Sequence, residues 1–338
     1  MFFFTMKLFL TISLFHFVFL VIQLLYGLNK KEHYNKRNIQ KLSLHSKDTV
    51  LILIPVCNEN RHILKKTLLS VKRLKGNFKI FVIENSSLLE HKKSLIDTCK
   101  DLSIEYISIP RLGNKAKAIN LCIKKYFINY KYLAIFDVDQ QPDEFFLSKL
   151  LPILETDSKI ALVQCPQAFR NRKSNLLSFF YSCMQKLYFE GISIYRDRLG
   201  FSTCFGTNFI VKISALKSVD YFDETIKNED IATSFKLHTA GYKIKYHNTP
   251  LAYGLAPENF KSLIIQMKKY TISNNQLLFK ILRNLPSLKY SHINFSFVIY
   301  YIHSLISLFI GGIFFYCSSI CLYFYQLNFI LFLSIYYC

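Results

Sequence analysis

The chain has no tryptophan, and it has few acids: 22 Asp and Glu against 43 Lys and Arg across 338 residues, a formal charge of +21. A balance this basic suits an anionic partner such as a phosphate-bearing substrate, a nucleic acid or an anionic lipid surface. From Tyr290 to Cys338 there is no Asp, Glu, Lys or Arg at all. The nine cysteines form no CxxC pair and no Cys/His cluster with zinc spacing, so a structural zinc site has no support and reduced thiols are expected. GxGxxG, GxxxxGK, HExxH and GxSxG are also missing, which removes the usual grounds for a dinucleotide fold, a P-loop, a zinc protease or a serine hydrolase. No internal repeat or low-complexity tract is present.

What is there begins with apolar runs at both ends. Leu8 to Leu28 is uncharged and long enough to cross a hydrocarbon core of ~30 Å. A cleaved signal peptide is the rival reading, but only Lys7 precedes the run and no small-x-small cleavage site follows it. Lys30, Lys31, Lys36, Arg37 and Lys41 follow instead, which predicts an outside amino terminus and a cytosolic domain after it. Phe295 to Tyr323 can cross once, with a buried core helix as the competing reading. Asn328 to Cys338 is too short for a further full span, so the chain is expected to be truncated or to end in a partial membrane element. The resulting division is an anchor over 1–29, a basic linker over 30–48, a cytosolic domain over 49–255, an amphipathic interface helix region over 256–290 and membrane segment over 291–338.

Between the anchors, Val50–Val56, Lys79–Ile83, Ile104–Ile109, Tyr132–Phe136 and Ile160–Gln164 read as strands rich in β-branched and aromatic residues. Arg61–Arg73, Lys115–Tyr126 and Asp143–Leu154 have helical length. The alternation predicts an α/β domain with a mainly parallel sheet flanked by helices, and ligands bind such sheets beyond the carboxyl ends of the strands. Three strand ends carry acids: Glu59 after the first, Glu84 after the second, Asp137 and Asp139 after the fourth.

Asp137 and Asp139, two apart where a strand enters a turn, can converge on a hard cation such as Mg²⁺ or Mn²⁺; an ordinary solvated turn fits them too. Glu59 and Glu84 fit helix capping or solvation equally well. Asn228, Glu229 and Asp230 open the helical run Ile231–Ala240, which Gly241 stops. Asn228 as cap and the acids as dipole partners explain them, and Asp230 as a general base is the functional alternative. Phe260, Leu263, Ile264, Met267 and Tyr270 follow helical spacing with lysines between them, as in a helix lying on a membrane surface. Gln266, Lys269 and Tyr270 share a face of that helix.

Taken in order, VLILIPVCNE, FVIENSS, RLGNKAKAIN, FDVDQQP, VQCPQAFRN, FGTNFIVKISAL, NED and QMKKY resemble the family 2 glycosyltransferases, in the membrane-embedded branch of cellulose, chitin and hyaluronan synthases and ceramide glucosyltransferase. The resemblance runs from about Val50 to Leu278. It implies a GT-A fold, with N- and C-terminal transmembrane helices from the apolar runs. It implies inverting transfer of a hexose or N-acetylhexosamine from a UDP-sugar to a polysaccharide or lipid acceptor at the cytosolic membrane face. By the same resemblance Glu59 and Glu84 lie on the donor, with Glu84 at the nucleoside. Lys115 lies near the base or diphosphate, Asp137 and Asp139 hold the diphosphate and its Mg²⁺ or Mn²⁺, and Asp230 is the catalytic base. Gln266, Lys269 and Tyr270 line the acceptor channel and donor site.

The chain departs from the family pattern at Glu84-Asn85 for a double Asp, at Asn228 for Thr, and at Lys269-Tyr270 for Arg-Trp. Lysine cannot reproduce a forked guanidinium on phosphate, so processive synthesis is less secure than sugar transfer. A degenerate, non-catalytic membrane protein keeping this fold is the alternative. Nucleic acid is not expected as a partner, since no recognisable module accompanies the dispersed positive charge. Membrane lipids are expected partners, and the oligomeric state is left open.

Overall fold

The computed structural model describes residues 14, 18, 21–27 and 48–284. All of these except 14, 18, 21 and 22 belong to one compact unit, Gln23–Ser296. Its centre is a seven-stranded sheet. In chain order the elements are β1 (Val50–Val56), α1 (Arg61–Val71), β2 (Phe78–Glu84), α2 (Leu89–Asp101), β3 (Glu105–Ser108), α3 (Lys115–Cys122), β4 (Tyr132–Ile135), β5 (Gln141–Pro142) and α4 (Phe146–Glu155). There follow β6 (Ile160–Gln164), β7 (Ala168–Phe169), α5 (Leu176–Leu187), α6 (Ser193–Arg198), β8 (Phe209–Lys212), α7 (Ile213–Ser218), α8 (Glu229–Thr239), β9 (Lys243–Tyr246), β10 (Ala252–Gly254) and α9 (Phe260–Asn284).

The strand order is β3-β2-β1-β4-β8-β6-β9. Only β8 runs against its neighbours β4 and β6; the other pairings are parallel. The mainly parallel α/β sheet expected from the sequence is therefore present, with all five predicted strands in it. A second sheet, β5-β10-β7, pairs segments of two or three residues.

The apolar runs are continuous because the sheet is covered on both faces. Alternate residues go to opposite sides. Val50, Ile52, Ile54 and Val56 of β1 join Tyr132 and Ala134 of β4 in a core with Leu64 and Leu68 of α1 and Leu150 of α4. Leu51 and Leu53 join Leu133 and Ile135 in a second core with Ile119 of α3 and Leu216 of α7. Each such fully buried aliphatic side chain contributes roughly 1.5–3 kcal/mol against the unfolded chain.

Two helices end differently from expectation. The run starting at Lys115 leaves the α-helix at Cys122 and continues through a π-turn over Ile123–Phe127. Asn228 precedes α8 but makes no side-chain capping bond, so the proposed cap is corrected. The Ile231 amide is taken instead by the Asp230 carboxylate at 2.8 Å, which does the cap's work from inside the first turn.

Among the described residues no helix is long and apolar enough to cross a membrane. The expected linker lies outside the described residues except its last, Asp48, and the expected segment 291–338 lies outside them wholly. Of the anchor, residues 14, 18 and 21–27 are described and helical. Gly27 lies against Gly191 so closely that any side chain at 27 would overlap the Gly191 carbonyl. Within the region expected to hold an interface helix, Phe260–Asn284 forms α9, where Phe260, Ile264, Ile265 and Met267 are exposed and Leu277, Leu278 and Ile281 are buried.

Candidate active site

The parallel register of β1, β2 and β4 brings their carboxyl ends to one edge, with Val56 opposite Glu84 and Leu53 opposite Ile135. Asn58 then turns the chain with φ +56°, a left-handed conformation that asparagine tolerates better than most residues. Its side chain staples this turn to the one after β2: Oδ1 accepts from the amides of Ser87 and Leu88 at 3.0 and 3.1 Å. Glu59 is thereby fixed in the lining of a cavity of about 510 Å³, which Cys57, Asn85, Arg111, Asn114, Lys115, Asp137 and Asp139 also line.

Of the strand-end acids, Glu59, Asp137 and Asp139 share this cavity and Glu84 does not. Glu84 is 1% exposed, and both its oxygens are engaged: Oε1 accepts from the Ser86 amide at 2.6 Å, and Oε2 from Ser108 Oγ at 2.7 Å with Lys92 Nζ at 3.4 Å. The cavity position beside β2 belongs to Asn85, whose Oδ1 also accepts from the Leu112 amide. Burial, then the charges of Asp139 and Asp137, raise the Glu59 carboxyl above its usual range.

Asp137 and Asp139 follow β4 and are held differently. The Asp137 amide donates to Thr207 Oγ1 at 2.9 Å, and its Oδ1 accepts from Lys115 Nζ at 2.5 Å. Asp139 Oδ2 accepts from the Leu255 amide at 2.9 Å, while Arg170 Nη1 donates to the Asp139 carbonyl at 2.7 Å. Burial, opposed by that amide and reinforced by Asp137, raises the Asp139 carboxyl. Among the described residues no three His, Cys, Asp or Glu side chains group closely enough to cage a metal alone. Two carboxylates on one cavity do fit an ion such as Mg²⁺ or Mn²⁺ whose remaining ligands are phosphate oxygens and water.

Lys115 opens α3, where a cation faces the unfavourable end of the helix dipole. Three acceptors offset this: Asp137, the Gly206 carbonyl at 2.8 Å, and Glu229 Oε1 at 3.9 Å. Burial works against its charge, but Asp137 and then Glu229 outweigh burial and raise the ammonium above its ordinary range.

Glu229 and Asp230 begin α8, where the dipole favours acids. Asp230 Oδ2 sits against Gly206, a position with φ +77° where an added Cβ would lie 3.0 Å from that oxygen. Only glycine lets this turn approach the carboxylate while its carbonyl receives Lys115. Burial, then the neighbouring Glu229 carboxylate, push Asp230 up to about 7, with Lys269 and Lys115 pulling the other way. The structure thus brings Lys115 between the Asp137 side and the Glu229–Asp230 side, although Asp230 itself does not line the 510 Å³ cavity.

On α9, Gln266 Nε2 donates to Tyr270 Oη at 3.2 Å, so these two do share a face. Burial raises the Tyr270 hydroxyl, with the Tyr181 hydroxyl and Asp230 adding to it. Tyr181 of α5, itself pushed up to about 12 by burial, hydrogen-bonds Gln266 and Tyr270. Sequence reading missed Tyr181, Arg170, Asn85 and Glu229 as parts of the site. Asn85, Arg170 and Glu229 sit inside segments already singled out, whereas nothing around Tyr181 marks it.

Residues 132–337, more than half of the chain, match the family described as glycosyl transferase family group 2. The chain is 27% identical over 257 residues to a poly-beta-1,6-N-acetyl-D-glucosamine synthase of Staphylococcus aureus, covering 75% of this chain and 60% of that protein. It is 26% identical over 253 residues to the enzyme of the same name from Staphylococcus epidermidis, with 74% and 60% covered. It therefore spans about 60% of the length of these relatives. Among solved structures, the mannosyltransferase PcManGT of Pyrobaculum calidifontis, in complex with GDP-Man and Mn²⁺, superposes with a TM-score of 0.60 at 15% identity, covering 82% of this chain and 75% of that one. That likeness shows the GT-A fold, and the family match over residues 132–337 shows that the chain belongs to glycosyl transferase family group 2.

Proposed function

We propose that the protein transfers N-acetylglucosamine, or a closely related hexose, from its UDP-sugar to a polysaccharide or lipid acceptor at the cytosolic face of a membrane, with inversion at the anomeric carbon. The observation that carries this reading is the half-buried Asp230 carboxylate, which feels the charge of the same lysine, Lys115, that pairs with Asp137 and with its neighbour Glu229. The names of the relatives support the sugar, and the apolar runs at both ends support the membrane setting.

Asp230 accepts the proton of the acceptor hydroxyl as its oxygen bonds to the sugar. The bond from the anomeric carbon to the diphosphate breaks, and UDP leaves with that electron pair. Lys115 offers positive charge where the diphosphate becomes more negative. Asp137 and Asp139 would hold a divalent ion, which when bound neutralises the same phosphates. Asn85, Arg111 and Glu59 line the same cavity as Asp137 and Asp139 and are the side chains this reading leaves for the nucleoside.

Purified protein in lipid should release UDP from UDP-N-acetylglucosamine faster than from other nucleotide sugars, and only with Mg²⁺ or Mn²⁺ added. Chain-length analysis of the product separates a polymerase from a single transfer. No release from any member of a nucleotide-sugar panel would favour the non-catalytic scaffold instead.

The pH dependence gives an independent check. A base raised to about 7 is deprotonated above that value, so kcat should fall as pH drops through it. Glu229→Gln removes the neighbouring charge that helps raise Asp230. Its acidic limb should therefore move to lower pH; a limb that stays in place would assign it to a different group.

A further inference from the structure

The loop before α8 binds three helices at once, and one of its carboxylates has no place in the chemistry described above. Asp223 has a side chain only 4% exposed. Its Oδ1 accepts from the amide and hydroxyl of Thr225 at 2.9 and 2.6 Å. Its Oδ2 accepts from Lys280 Nζ of α9 at 2.6 Å, and Lys280 also reaches Thr225 Oγ1 at 3.2 Å. The Asp223 amide donates to Thr233 Oγ1 of α8 at 3.0 Å, and that hydroxyl donates to the Glu229 carbonyl at 2.5 Å. The Glu229 carbonyl is half of the peptide bond that leads into Asp230. A continuous series of bonds thus runs from Lys280 to the backbone of the proposed base.

The same loop grips α3. Asn120 accepts from the Phe222 amide at 3.1 Å and donates to the Phe222 carbonyl at 2.9 Å, while Asn114 donates to the Glu224 carbonyl at 3.1 Å. Asn114 is the cap of the helix that begins with Lys115. Helices carrying Asp230, Lys115 and the Gln266–Tyr270 face therefore meet at one loop. Lys280 lies eleven residues beyond Lys269, about 16 Å along the helix axis, too far to touch the reacting atoms.

We infer that Lys280 and Asp223 form a latch that positions the catalytic base: the ion pair fixes the Phe222–Lys227 loop, which fixes the first turn of α8 and Asp230 with it. The inference rests on the reading of Asp230 as base. Both residues are positioning residues, and a buried carboxylate is suited to the task because it holds its geometry only while every oxygen is satisfied. Lys280, with its side chain 35% exposed, can be changed without opening the core.

The test uses the full chain in lipid, with UDP-N-acetylglucosamine at saturation and kcat and donor KM measured separately. Lys280→Ala should lower kcat about tenfold, short of the ~10²-fold that a 1 Å misplacement of a reacting group can cost. Donor KM should change less than twofold, since neither Lys280 nor Asp223 lines the cavity, and Lys280→Arg should restore most of the rate. Asp223→Asn should match Lys280→Ala, and the double variant should be no worse than either single one, because the two act as a unit. Asp230→Asn is run beside them. If Asp230→Asn is inactive while Lys280→Ala keeps the parental kcat, the latch is wrong and the base assignment stands. No rescue by arginine, a Lys280→Met variant with the parental kcat, or additive losses in the double variant would also overturn the latch. An active Asp230→Asn would remove the base reading and the latch together.

Discussion

Asp230→Asn should abolish transfer while leaving donor binding intact. The substitution is isosteric, and Asn can still offer an oxygen to the Ile231 amide that Asp230 now receives at 2.8 Å, so α8 keeps its first turn. What is lost is the ability to take a proton. Positioned general bases are worth about 10²–10⁴ in rate, so kcat should fall on the order of 10³-fold. UDP-sugar affinity should be parental or slightly better, because a negative charge near the diphosphate is gone. Isothermal titration with UDP-N-acetylglucosamine beside single-turnover kinetics separates the two quantities. A variant retaining more than a tenth of parental kcat would show that the proton goes elsewhere, with Glu229 the nearest other acid on that turn.

The environment that suits Asp230 to this role has three sources. Gly206 supplies a turn without a side chain, Glu229 supplies a like charge, and burial removes water. The sequence alone shows acids at a helix start, and the dipole explains those equally well. Strands were easier to read. β1 and β4 are apolar at every position because both faces are covered, and that leaves a plain signature. β8 was not legible as an antiparallel insertion, since its direction is decided by which strands it joins. β5, β7 and β10 are two or three residues long, and such segments carry no periodicity of their own. Glu84 illustrates the opposite case: the motif marks it, but Ser86, Ser108 and Lys92 take up its oxygens, so it reads as a keystone between β2 and β3. The ordered set of short motifs carried the family, since order and spacing survive where individual residues have drifted.

Lys115 connects the two halves of the proposed site and sets what should be seen when the aspartates change. Its ammonium lies on Asp137, the carboxylate that would also bind a divalent ion. Asp137 is 41% exposed on its side chain, so solvent weakens that pair. Asp137→Asn keeps an oxygen for Lys115 and removes the charge. Asp139→Asn likewise keeps an oxygen for the Leu255 amide, so the local backbone should hold in both variants.

If these two carboxylates hold the ion with the donor phosphates, each variant should lower kcat/KM for the UDP-sugar by about 10²-fold, in line with the loss of one preorganised electrostatic contact to the transition state. The Mn²⁺ concentration for half-maximal activity should rise at least tenfold, and binding of UDP measured with and without Mn²⁺ should lose most of its metal dependence. Asp137→Asn carries a second consequence that Asp139→Asn does not. With the charge of Asp137 gone, Lys115 keeps Glu229 and Asp230 as its remaining carboxylates, which should draw the acidic limb of kcat to lower pH. Parental metal dependence in both variants would mean that other groups hold the ion and that the aspartates serve the turn. A limb shift in Asp139→Asn equal to that in Asp137→Asn would mean that Lys115 does not couple the two sides of the site.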